Sequence, residues 1–341
     1  MRKSSPIGIC VVGSGRAGMI HARNFVRDVP NARLVAVADP AQRAAQAACD
    51  ELGIAKAYRS HTDALEDREI DAFIVVAPTE LHCGIVKDLA NAKKHILCEK
   101  PMAMTAAECD EMIQAAEENG VLLQIGFMRR FDAGFKRAKQ ILDSGAIGDV
   151  VMVRSNTRGP SVPQPWMYDI KKSNGPLAEV CSHDIDALRW FTGSEFQTIY
   201  ALGGNFRCRE VAGEFPDFYD NVIVSASFQN GCQGAIDGAQ GVGYAYDSRA
   251  EILGTKGCIF VGRLQEESVT VHTAETHSGS FPAVASWRTL FSEAYLSEDR
   301  AFVESIVSET PAQVTGHDGK MAVAAVNAGN ISIAEKRIVT V

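Results

Sequence analysis

Residues 7–18 read IGICVVGSGRAG, and the reading of this stretch decides the fold. Ile7 to Val12 form an apolar run with no polar alternation, the pattern of a strand covered on both faces. The run passes directly into Gly13-Ser14-Gly15-Arg16-Ala17-Gly18, and an amphipathic segment at 16–28 follows. In such a strand–turn–helix, Gly13 permits the tight turn, Gly15 lets backbone approach a pyrophosphate, and Gly18 lets helix and strand pack closely. The helix start then offers unpaired N–H groups and a partial positive charge to the phosphates. A second apolar run, 34–38, ends in Asp39, 21 residues beyond Gly18. A carboxylate there accepts from both ribose hydroxyls and repels a 2′-phosphate, which favours NAD over NADP. Arg43 is nearby, but Pro40 occupies the place where NADP binders often carry Ser or Arg. The competing reading of Asp39 is a plain helix cap.

Outward from this stretch the alternation continues. Strand-length apolar runs lie at 71–77, 95–98 and 121–125, and amphipathic segments at 40–52, 80–93 and 105–119. Thr105-Ala106-Ala107-Glu108 is a capping-box pattern marking a helix start. Residues 1–125 are therefore expected to form a Rossmann domain, a doubly wound parallel sheet covered on both faces. Beyond 126 the pattern changes. Helices are expected at 132–144 and 177–192, and strands at 149–155, 196–206, 219–229, 232–239, 248–254, 257–261 and 267–273. Helical patterns return near 290–308 and 318–335, and 275–289 reads as a loop. Residues 126–341 are thus expected to form a second, α/β domain with a large, mostly antiparallel open sheet, one of whose faces needs covering by helices or by another subunit. The last helix, about 318–335, is expected to pack back on the first domain.

A length of 341 residues suits two such domains. The 34 basic and 42 acidic residues give a formal charge of −8, and no run of Lys and Arg offers a patch for nucleic acid. Nine cysteines at 10, 49, 83, 98, 109, 181, 208, 232 and 258 show no CxxC spacing. That excludes a disulfide framework and a zinc ribbon and points to a reducing, cytoplasmic setting. The longest apolar stretches, such as 72–77, are far short of the ~20 residues of a membrane helix.

Two further places carry chemistry. Glu99-Lys100-Pro101 follows the strand 95–98, at the carboxyl edge where open α/β sheets bind ligands. Pro101 biases Lys100 away from helical geometry, and Lys100 can donate to a substrate oxygen. Glu179, His183, Asp186 and Trp190 recur at i, i+4, i+7 and i+11, one face of a helix at 177–192. A carboxylate one turn from an imidazole raises its basicity, which suits a general base, although Asp186 and Trp190 fit structural roles equally well. There is no Tyr-x-x-x-Lys pair, no Cys/His cluster for catalytic zinc and no P-loop. No metal is expected.

Taken together, GSGRAG, CEKPMA at 98–103 and SHDIDALRW at 182–190 resemble the glucose–fructose oxidoreductase/inositol dehydrogenase (Gfo/Idh/MocA) family. GFMRRFD at 126–132, YAYDSRAEILGTKG at 244–257 and SWRTLFSEAYLSED at 286–299 resemble its inositol 2-dehydrogenase branch. The resemblance spans nearly the whole chain. It implies NAD(P)-dependent oxidation of a secondary alcohol on a cyclitol or sugar. It also implies a catalytic set of Lys100, His183 and a carboxylate four residues before that histidine. Here the carboxylate is Glu179 where the family has Asp, one methylene longer. Gly13, Gly15, Arg16, Ala17, Gly18, Asp39, Glu99 and Lys100 are expected to hold NAD. Arg129, Thr157, Arg158, Tyr244 and Tyr246 are expected to bind substrate hydroxyls beside Lys100, Glu179 and His183.

Two other functions remain open on this evidence. Some relatives of this kind hold NAD tightly and cleave glycosides by transient oxidation, and some Rossmann proteins are non-catalytic NAD-binding regulators. The second-domain sheet has too few helices in sequence to cover both faces, which together with the resemblance implies a homo-oligomer, a tetramer in preference to a dimer.

Overall fold

The computed structural model describes residues 5–265, 271–273, 276–280 and 282–341. The chain divides into two compact units, the first made of Met1–Phe131 and Glu293–Val323, the second of Asp132–Ser292 and Ala324–Val341.

In the first unit, strands β1 (Ile7–Val12), β2 (Ala32–Ala38), β3 (Lys56–Tyr58), β4 (Ala72–Val75), β5 (His95–Glu99) and β6 (Leu123–Gly126) alternate with helices. The helices are α1 (Arg16–Arg27), α2 (Gln42–Leu52), α3 (His61–Leu65), α4 (Thr79–Asn91) and α5 (Ala106–Asn119). The sheet is parallel throughout, in the order β3-β2-β1-β4-β5-β6. That order places the topological switch between β1 and β4, where such sheets bind ligands at their carboxyl ends. All six residues of β1 are buried, as a strand with helices on both faces requires. At α5 the capping box forms as its sequence indicates, Thr105 and Glu108 each bonding the other's backbone N–H. The short β3 and α3 carry no apolar run, and the sequence reading passes over them.

The boundary lies at 131 rather than 125, and two helices return to the first unit: the one over 292–308 and the first part of the last one, through residue 323. Phe302 and Val303 of α11 (Ser292–Ser308) pack in one cluster with Ile9, Val11, Ile74 and Leu97 of the parallel sheet. That apolar burial assigns 293–323 to the first unit, and α12 (Gly316–Glu335) is divided between the two.

Elements of the second unit are α6 (Ala133–Asp143), β7 (Val150–Gly159), α7 (Ile170–Ser173), α8 (Gly175–Glu179), α9 (Ser182–Thr192), β8 (Phe196–Gly204), β9 (Asn221–Phe228), β10 (Gln233–Gln240), β11 (Asp247–Gly254) and β12 (Cys258–Val261). The hairpin β13 (Val271–Thr273) and β14 (Thr276–Ser280), α10 (Trp287–Leu290) and β15 (Val339–Thr340) complete it. Its seven-stranded sheet runs β12-β11-β7-β10-β9-β8-β15, antiparallel except where β10 meets β7. Helices cover one face: Leu188 of α9 lies against Gly234, Cys181 against Gly238, and Ser332 of α12 accepts the Ala201 N–H at 2.9 Å. Period-two alternation turns the other residues to the opposite face. There Leu202, Ile223 and Asp237 sit in register across β8, β9 and β10, and Phe260 faces Glu251 across β12 and β11.

Two expectations change here. The segment 275–289 is not a continuous loop, since it contains β14 and α10; residues 274, 275 and 281, and the 267–270 part of the expected strand, lie outside the described residues. The single helix at 177–192 is two, α8 and α9. Pro176 accepts from both Val180 at 2.9 Å and Cys181 at 3.1 Å, so the last turn reaches back five residues instead of four. This wide turn seats the fully buried Cys181 against Gly238, where a Cβ would lie 2.1 Å from its Sγ.

Candidate active site

The glycine loop has three glycines with three different constraints. Gly13 has φ +100°, and a Cβ there would lie 2.5 Å from the Val76 carbonyl oxygen. At Gly18 a Cβ would lie 1.9 Å from the Gly13 carbonyl oxygen, so helix and turn pack too closely for any side chain. Around Gly15 there is open space, with nothing within 4 Å of a Cβ. Gly15 also caps α1 without a side-chain bond, and the first turn contains no acid. A helix start with free N–H donors, no competing carboxylate and room for close approach fits the pyrophosphate of NAD. Arg16 is exposed and Ala17 half-buried in that first turn.

Asp39, at the end of β2, is oriented by its neighbours. Its Oδ2 accepts the Ser14 N–H at 2.8 Å and the Ser14 hydroxyl at 2.7 Å, while Oδ1 accepts the Ala41 N–H at 2.8 Å. The carboxylate therefore caps the turn into α2 and steadies the glycine loop at once.

Lys100 follows β5 and is half-buried. Glu99, expected to contact the cofactor, is instead committed inward. It is 5% exposed, its Oε1 lies 3.1 Å from His21 Nε2, and its Oε2 accepts the backbone N–H of Lys100 at 3.0 Å. His82, fully buried in α4, bridges the carbonyls of Ala77 at 2.7 Å and Pro101 at 2.9 Å, fastening the turn after Lys100 to the end of β4. Arg129 is buried in the short helical turn Met128–Phe131, and its neighbour Arg130 pairs with Asp318 at 2.9 Å.

In the second unit, Glu179 ends α8 and His183 is the second residue of α9, half-buried and buried respectively. The wide turn between them replaces the one-turn spacing of a continuous helix. Asp186 and Trp190 serve the framework: Asp186 approaches Arg189 at 4.0 Å, and Trp190 stacks on Phe191 with centroids 5.3 Å apart. Arg189 is in turn held by Glu195 at 2.5 and 2.6 Å.

The expected hydroxyl-binding residues separate. Thr157 lies on the covered face of the sheet and donates to Oδ2 of the buried Asp184 at 2.6 Å, and Ser155 donates to the other carboxylate oxygen. Arg158 lies on the opposite face, where its guanidinium forks onto Asp237 and reaches Tyr244 at 3.5 Å. Tyr244 donates to Asp247 at 3.0 Å, within an ion cluster that includes Arg249. Burial disfavours the Asp247 carboxylate, but Arg249 outweighs this and holds it below its ordinary range. Tyr246 is a core aromatic, 6.4 Å from Phe291 edge to face. Strand alternation thus takes Arg158 away from the covered face, hydrogen bonds hold Tyr244 of the β10–β11 loop beside it, and packing absorbs Tyr246.

Sequence reasoning missed the buried group around His21. Its signal is present: Gly18, His21, Ala22 and Phe25 make the buried stripe of α1, and Glu298 and Asp299 interrupt the apolar stripe of α11. Polar residues inside an apolar stripe mark a buried network.

Comparison with known proteins agrees with the two-part organisation. A family described as "Oxidoreductase family, NAD-binding Rossmann fold" matches residues 7–127, and the GFO/IDH/MocA C-terminal domain matches 135–260. The chain is 34% identical to myo-inositol 2-dehydrogenase of Thermotoga maritima over 97% of both chains. It is 35% identical to the scyllo-inositol 2-dehydrogenase (NAD(+)) of Bacillus subtilis, over 87% of this chain and 85% of that one. The scyllo-inositol dehydrogenase of Lactobacillus casei, solved with NAD(H) and scyllo-inositol, superposes with a TM-score of 0.89 at 28% identity, over 98% of this chain and 99% of that one.

Proposed function

This chain belongs to the GFO/IDH/MocA family of NAD-binding oxidoreductases, and we propose that it is an NAD-dependent dehydrogenase of cyclitols, oxidising one secondary ring hydroxyl of an inositol to the ketone. One observation carries this reading: an open phosphate loop at Gly15 and the half-buried Lys100 lie at the carboxyl ends of the same parallel sheet, in a chain similar end to end to inositol dehydrogenases.

Gly13, Gly15 and Gly18 with the N-terminus of α1 would hold the pyrophosphate, and Asp39 the adenosine ribose. The chemistry NAD supplies when bound is acceptance of the carbinol hydrogen with its electron pair. Lys100 hydrogen-bonds the reacting oxygen and offsets the negative charge that develops there, a contribution that grows toward the transition state. His183 accepts the hydroxyl proton, and Glu179 stabilises the resulting imidazolium. Arg129 supplies donors to a further ring hydroxyl. A polyol needs such partners, because each unpaired buried polar group costs about 1–3 kcal/mol.

We infer further that the chain forms a homo-oligomer, a tetramer in preference to a dimer, through the uncovered face of the second-unit sheet. Leu202 and Ile223, in register on β8 and β9, are 54 and 56% exposed on it, and Phe260 on the outer strand β12 is 77% exposed, apolar side chains that burial favours. The scattered free cysteines support a cytoplasmic location, and among the described residues no helix is long and apolar enough to cross a membrane.

A panel of inositols and aldoses with NAD, followed by NADH absorbance, tests the function. Turnover of at least one inositol is expected. Release of nitrophenol from a nitrophenyl glycoside without net NADH would replace the dehydrogenase with a glycosidase. NAD binding with no turnover across the panel would leave a regulator.

A further inference from the structure

Three carboxylates converge on one imidazole inside the first unit. His21 is fully buried in the second turn of α1, with Nδ1 2.7 Å from Asp299 and Nε2 3.1 Å from Glu99. Asn24, one turn further along α1, donates to the other Asp299 oxygen at 2.8 Å. Glu298 lies beside them with no exposure, and its ligand atom, that of Glu99 and that of His21 fall within 4.8 Å of one another. Both Glu298 oxygens are buried without a hydrogen-bond partner. Tyr295 closes the group, its ring edge-on to the imidazole at 5.4 Å.

The charges inside this group follow from its geometry. Burial opposes a charged imidazole, but contact with both Asp299 and Glu99 overcomes it and holds His21 well above its ordinary range. Burial, then the neighbouring Glu99 charge, pushes Glu298 well above the usual carboxylate range. Burial raises Asp299 as well, against the opposing pull of His21, so the geometry favours a protonated imidazole held between Asp299 and Glu99. Such a group resists rearrangement, because moving His21 away from Asp299 and Glu99 leaves buried ionisable groups without their partners.

Its outlet is Glu99. One oxygen faces His21, and the other accepts the backbone N–H of Lys100. We propose that His21, with Asp299 behind it and Glu99 before it, is a positioning residue for Lys100, tying the helix that starts at the phosphate loop to the backbone carrying the catalytic amine. This rests on the role of Lys100 given above. The function requires it physically: a donor serving a developing oxyanion must be held within fractions of an ångström, and the Lys100 backbone N–H is fixed by the Glu99 carboxylate that His21 contacts.

The test is a double-mutant cycle on the full-length enzyme with its best inositol. His21→Gln is expected to lower kcat about 10–100-fold while KM for NAD changes by less than about threefold. In a Lys100→Met background the same substitution is expected to change kcat by less than about threefold, because its effect passes through Lys100. Equal loss in both backgrounds would overturn the proposal and make the network a structural one. If Lys100→Met alone keeps full activity, the assignment of Lys100 fails instead, and the two failures are distinct. Should His21→Gln not fold, Glu99→Ala serves in the same cycle: a loss of kcat of about 10–100-fold is expected in the unaltered background and of less than about threefold in the Lys100→Met background. Comparable losses in the two backgrounds would contradict the proposal. Metal analysis of the purified enzyme bears on the same group, since a stoichiometric divalent cation lost in Glu298→Gln would make it a metal site and overturn the positioning role.

Discussion

Asp39 grips Ser14: one carboxylate oxygen takes both the N–H and the hydroxyl of the middle residue of the glycine loop, at 2.8 and 2.7 Å. The acid that would select the cofactor therefore also shapes the loop that would hold its phosphates. Asp39→Ser is expected to narrow the preference for NAD over NADP by removing repulsion of a 2′-phosphate. It is also expected to raise KM for both cofactors, because Ser14 loses its acceptor. Steady-state kinetics with each cofactor check this, and efficiency with NADP equal to that with NAD in the unaltered enzyme would contradict the selectivity argument.

His183 should behave as a base and Lys100 as a charged donor. His183→Ala is expected to lower kcat by about 10²–10⁴, the usual worth of general-base catalysis, with NAD affinity nearly unchanged. In the unaltered enzyme, oxidation should fall on the acid side as the imidazole takes up a proton, and that limb should vanish in the variant. Lys100→Met is expected to be severe at every pH. If His183→Ala keeps most of its kcat on the best substrate, His183 is structural and the proton acceptor lies elsewhere.

The buried network makes stability depend on pH with a definite sign. His21 and Glu298 are both raised, so the native state holds protons that the unfolded chain releases, and stability must fall as pH rises. The Glu298 contribution is complete below about pH 4.3 and the His21 contribution below about pH 6.5, each declining toward its raised native value. Each group contributes a slope of up to about 1.4 kcal/mol per pH unit in its window. Glu298→Gln is expected to flatten the decline measured by urea unfolding between pH 5 and 9. An unchanged slope in that variant would show that Glu298 titrates normally.

The uncovered sheet face predicts assembly. Sedimentation at micromolar concentration should show a homo-oligomer, and a Phe260→Asp, Ile223→Lys double substitution should dissociate it without loss of circular dichroism. A wild-type monomer at that concentration contradicts the interface.

What the sequence discloses is what local geometry dictates. Gly13 and Gly18 are legible because contacts at 2.5 and 1.9 Å leave no room for a side chain, and the turn lies between two strongly patterned elements. Asp39 is legible because it ends the next strand. Pairings made across the chain are not legible. His21 meets Asp299 across 278 positions and Arg158 meets Asp237 across 79, and neither spacing has a periodicity to betray it. The helix over 177–192 fails for a similar reason: the wide turn at 180–181 serves the packing of Cys181 on Gly238, a strand far along the chain. The register of β7 then decides between Thr157 and Arg158, which adjacent positions in sequence could not.

The most direct test of the central claim follows the hydrogen. Inositol deuterated at every ring carbon is incubated with NAD and enzyme, and the reduced cofactor is examined by mass spectrometry. The account predicts one deuterium in each NADH formed, in step with one equivalent of ring ketone. Product formed with no deuterium in the cofactor, or an enzyme that binds NAD and transfers none across the inositol isomers, would contradict it.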